Sequence, residues 1–125
     1  MKISDVILLW ESYEFYNEKI SEVEEHTFDK LESITRFLNQ DYPTLGQRKR
    51  FKRQVTEKVG NLSSLYSKQI DIIDNLIIFY KEDSNKSQIP IEREMDFTQL
   101  LTLKNLTVTL LYNLVNQRES ILKNI

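Results

Sequence analysis

Apolar residues recur at Val6, Leu9, Tyr13, Tyr16, Ile20 and Val23, and again after Thr27 at Leu31, Ile34 and Leu38. Steps of three and four residues place them along one face of an α-helix. Ser4 is placed to cap this helix, with Ile3 and Leu8 at hydrophobic-staple positions. Asp41-Tyr42-Pro43 ends it, because the residue before a proline avoids helical angles. A second stripe runs through Phe51, Val55, Val59, Leu62, Tyr66, Gln69, Ile73, Leu76 and Tyr80, staying in heptad phase across Gly60. It predicts one continuous helix, opened by a capping box of Thr44 and Gln47, with a local kink or close contact at Gly60. Gln69, polar on an otherwise apolar seam, is expected to set register or to lie at a partly wet layer.

Residues 84–95 carry neither the helical nor the strand period and contain Pro90, so they are predicted to form a loop. Beyond it, Asp96 with Gln99 has capping-box spacing, Met95 and Leu100 sit at staple positions, and a third helix is predicted to reach Lys123. The predicted helices are therefore 4–40, 44–83 and 96–123, in one domain. At 1.5 Å per residue the first two would each be roughly 55 to 60 Å long. The fold class is all-α: an elongated antiparallel three-helix bundle with two long helices and a shorter, very apolar third.

That third helix has two apolar stripes. Phe97, Leu101, Val108, Leu111, Val115 and Leu122 form one; Leu103, Leu106, Leu110, Leu114 and Ile121 form another, about 130° away at helical pitch. Two neighbours in a three-helix bundle lie only about 60° apart seen from the third axis, so one chain does not easily cover both stripes. The second stripe is expected to contact another protein chain, as a homo-oligomer or with a helical hetero-partner. Trp10 and Phe28 lie about 80° to 100° from the middle of the first helix's stripe, where an aromatic either widens the core or meets a partner, the core being the commoner role.

Composition removes whole classes of chemistry. Sixteen leucines, thirteen isoleucines and thirteen aromatics supply a core, whereas two glycines and no cysteine leave no phosphate-cradling loop, nucleophile elbow, thiolate metal site or disulfide framework. His26 is the only histidine. Glu22 and Asp29 flank it at one-turn spacings, but Val23 stands where a Glu-x-x-His metal pair needs its acid. No catalytic residue, metal or cofactor is expected, and the chain is read as a non-enzyme.

Charge is unevenly placed. Residues 1–41 carry a net −6, residues 42–60 +5, residues 61–94 −2 and residues 95–125 +1. Arg48, Lys49, Arg50, Lys52 and Arg53 make the positive segment, close behind a predicted helix start. Glu11, Glu14, Glu18, Glu22, Glu24, Glu25, Asp29 and Glu32 make an acidic belt further along the rod. The basic cluster is a candidate contact for an anionic partner: nucleic acid, acidic protein or lipid head groups. No stretch has the roughly 20 apolar residues of a membrane span, and the N-terminal run is a poor signal peptide, so a soluble cytoplasmic protein is expected. The function expected is that of a helical interaction protein: a subunit, adaptor or inhibitor in a complex, acting through apolar helix faces. The alternative is an accessory nucleic-acid-binding protein using residues 48–53.

Overall fold

The computed structural model describes residues 3–81 and 97–125, with side chains from 5 and from 98 onward. Three helices account for them: α1 (Ile3–Gln40), α2 (Leu45–Tyr80) and α3 (Phe97–Lys123). They form an elongated, antiparallel three-helix bundle in which α3 is the shortest element, at 27 residues against 38 and 36. The predicted loop 84–95 and the Met95 and Asp96 capping positions lie outside the described residues. At its start α1 differs slightly from expectation: it begins at Ile3, which puts Ser4 inside the helix instead of at its cap. Proline 43 ends α1 as expected. At the start of α2, Thr44 and Gln47 form the capping box: the Gln47 amide donates to Thr44 Oγ1 at 3.1 Å, and the Thr44 amide donates to Gln47 Oε1 at 2.8 Å. Two orphan donors of the helix start are thereby satisfied.

All nine residues of the α2 stripe are buried, and so are Ile72, Ile77 and Phe79 beside them. Adjacent pairs such as Ile72 and Ile73 subtend an arc too wide for one neighbour, and α2 indeed lies between α1 and α3. The two outer helices pack against α2 and make few close approaches to each other. Register follows from cross-helix contacts. The Phe37 and Phe51 rings meet edge to face at 5.3 Å, Gln69 reaches the Tyr13 carbonyl, and Lys104 pairs with Asp74 at 2.7 Å, so both helix pairs run antiparallel.

The interior divides along the rod. Near the hairpin turn Leu31, Ile34, Val55, Val59, Leu62 and Leu114 pack together, and near the other end Val6, Trp10, Ile73, Leu76, Phe79 and Leu100 do so. Trp10 is buried against Tyr13 at 5.5 Å, and Phe28 packs on the first cluster, so both aromatics widen the core. Gly60 lies on an unbroken helix, and a methyl group added there would meet nothing within 4 Å, which removes the expected close contact.

Candidate interaction surfaces

The buried face of α3 falls between the two stripes seen in its sequence. It runs through Leu100, Leu103, Thr107, Leu111, Leu114 and Ile121, all buried or half-buried. Thr107 is accommodated on this seam because its hydroxyl donates to the Leu103 carbonyl at 2.8 Å. Of the stripe expected to meet a partner, Leu114 and Ile121 are thus buried in the chain's own core and Leu103 is half-buried. Leu106 and Leu110 remain, 57% and 39% exposed. In the other stripe, Leu101 and Val108 are exposed and Leu111, Val115 and Leu122 are half-buried; the side chain of Phe97 lies outside the described residues. A helix leaning on one neighbour buries one seam and leaves both flanks open, which is why both stripes are divided this way.

The two flanks face different ways. Near the hairpin turn, Thr35, Leu38 and Asn39 of α1 line a crevice with Gln117, Ser120 and Ile121 of α3. Leu103, Leu106 and Leu110 continue that α1-facing side of α3 along the rod at steps of three and four. Leu101, Val108 and Tyr112 lie on the opposite flank, where Lys104 pairs with Asp74.

The basic cluster is distributed unevenly. Arg48 is half-buried, its guanidinium donating to the Ile125 carbonyl at 3.0 Å, which ties the start of α2 to the end of α3. Arg50 lies over the Phe51 ring, 5.5 Å from its centre. Lys49, Lys52 and Arg53 share one exposed face with Thr56 and Glu57. Among the described residues, none of Lys49, Arg50, Lys52 and Arg53 forms an ion pair. At the apex beside them Tyr42 is 99% and Leu45 70% exposed, a pair that periodicity overlooked because both lie outside the helical stripes.

In the acidic belt, Glu11, Glu18, Glu25 and Asp29 are exposed, Glu22 pairs with Lys19 at 3.6 Å, and Glu32 pairs with Arg36 at 2.8 Å. Glu24 turns inward instead, half-buried beside Tyr66. Burial of that phenol, with the Glu24 carboxylate adding to it, raises its pKa above the ordinary tyrosine value. His26 is exposed, and among the described residues no group of three or more His, Asp and Glu side chains is placed to hold a metal ion.

Compared with protein-family models, curated proteins and solved structures, the chain gives no significant match.

Proposed function

We propose that this protein is a non-catalytic interaction subunit of the cytoplasm, which binds another protein chain through the apolar flank of α3 that turns toward α1. The observation carrying this reading is the exposure of Leu106 and Leu110 beside the α3 seam, along a side on which α1 leans on α2 instead of covering them. Burial of a leucine is worth roughly 1.5 to 3 kcal/mol, so covering these two and the half-buried Leu103 supplies a substantial share of a binding energy. A partner helix laid along this flank would meet apolar side chains at three- and four-residue spacing, the ordinary requirement of helix-in-groove recognition.

The test compares wild type with Leu106→Glu plus Leu110→Glu in quantitative pull-downs from the native cell, with circular dichroism as the folding control. Partners captured by wild type should be lost from the double variant while helix content is kept. An unchanged set of captured proteins would overturn the reading.

A further inference from the structure

We propose that the hairpin tip is a docking site for an anionic lipid surface, in which Tyr42 and Leu45 enter the interface and Lys49, Arg50, Lys52 and Arg53 engage the head groups behind them. Tyr42 and Leu45 are the most exposed large apolar side chains among the described residues, and both lie at the hairpin end of the rod, in the α1–α2 connection and at the first residue of α2. Among the described residues nothing packs over them. Along the α2 axis Lys49 follows Leu45 by about 6 Å and Arg53 by about 12 Å. An apolar apex with a collar of cations one to two turns behind it matches the layering of a bilayer surface, where side chains reach about 5 to 10 Å into the boundary beneath charged head groups.

Charge placement along the rod favours an upright orientation. Among the described residues the four exposed cations form no ion pair, and Asp41 is the acid at the turn itself. The exposed acids of α1 begin with Glu32, already neutralised by Arg36, and Asp29, about 18 Å along the helix from Asp41. The cations lie level with about residues 35–39 of α1, and Glu57 is the one acid on their own face, so the tip keeps a net positive charge, while the belt on α1 resists the rod lying flat on a negative surface. The contact between Arg48 and the Ile125 carbonyl fixes the end of the bundle as one platform. No described helix is long and apolar enough to cross a membrane, so the association proposed is peripheral. A polynucleotide fits less well. Leu45 offers nothing to a phosphate backbone, and among the described residues Tyr42 is the one exposed ring at the tip for base stacking.

The site uses none of the side chains of the α3 flank, so the two readings fail separately. Flotation is measured with vesicles of phosphatidylcholine alone and with added phosphatidylserine, at low and high salt. Wild type should bind only the anionic vesicles, and high salt should release it. Lys52→Glu plus Arg53→Glu should lower partitioning on the order of tenfold or more. Tyr42→Ser plus Leu45→Ser should also lower it, with helix content unchanged because both side chains are in solvent, and Leu106→Glu plus Leu110→Glu should leave it intact. Absence of binding, equal binding to neutral vesicles, or binding that survives the charge reversal overturns the proposal. So does tight, salt-sensitive binding of an oligonucleotide that displaces the vesicles and is indifferent to Tyr42→Ser plus Leu45→Ser, which would make the tip a nucleic-acid site.

Discussion

Gln69 is buried between α1 and α2 with half its amide satisfied: Nε2 donates to the Tyr13 carbonyl at 3.2 Å, and Oε1 has no partner. A buried acceptor left unpaired costs about 1 to 3 kcal/mol, which offsets what the donated bond contributes. Gln69→Leu should therefore raise the thermal midpoint, by a gain on the order of 1 kcal/mol; a fall of several degrees would show that the amide is structurally required. Gly60 makes no close contact, so Gly60→Ala should stabilise by about 0.5 to 1 kcal/mol in denaturant unfolding, through helix propensity alone. Tyr66 bears on pH. Its folded pKa is raised, so above the ordinary value of 10.0 the unfolded chain releases a proton that the folded chain retains, and stability falls as pH rises through that range. Tyr66→Phe should flatten this alkaline loss without abolishing it, because burial raises the Tyr13 pKa in the same direction.

Among the elements, α2 carries the bundle, and its capping box fixes where it begins. Thr44→Ala removes the acceptor for the Gln47 amide and should cost about 1 kcal/mol by chemical denaturation. In α3 the distinction between seam and flank is measurable. Leu114 is wholly buried, so Leu114→Ala should cost about 2 to 5 kcal/mol, whereas Leu106→Ala, on an exposed flank, should change the stability of the isolated chain by less than about 0.5 kcal/mol. Similar losses at both positions would mean that the flank is internal. The sequence showed that α3 has more apolar surface than one neighbour covers. It split the seam between two stripes because Thr107 interrupts it, and a count of apolar spacings passes over a polar residue that a hydroxyl back-bond makes tolerable there.

At the scale of the molecule, two helices of 38 and 36 residues fix a length far beyond a sphere of this mass. Small-angle scattering should give a radius of gyration well above the roughly 14 Å of a compact 125-residue chain, with an elongated distance distribution. The charge follows the same axis, positive at the hairpin tip and negative along α1, so solvent-exposed contacts at the two levels should respond independently to mutation. Both readings, a protein partner on the α3 flank and an anionic surface at the tip, use side chains that the three-helix packing leaves uncovered.

Periodicity, the proline at 43 and the Thr44–Gln47 spacing determined the helices, their antiparallel pairing and the whole buried stripe of α2, because these depend on contacts between near neighbours in the chain. The basic and acidic segments were likewise legible as sequence. Tertiary packing decided the rest. Placing α2 in the middle, with α1 and α3 nearly apart, selects a buried seam between the two apolar stripes, pins Arg48 to Ile125 while freeing Lys49, Lys52 and Arg53, and leaves Tyr42 and Leu45 at an open apex. Burial depends on which helices meet and at what angle, and that is a sum over distant residues that no local pattern contains.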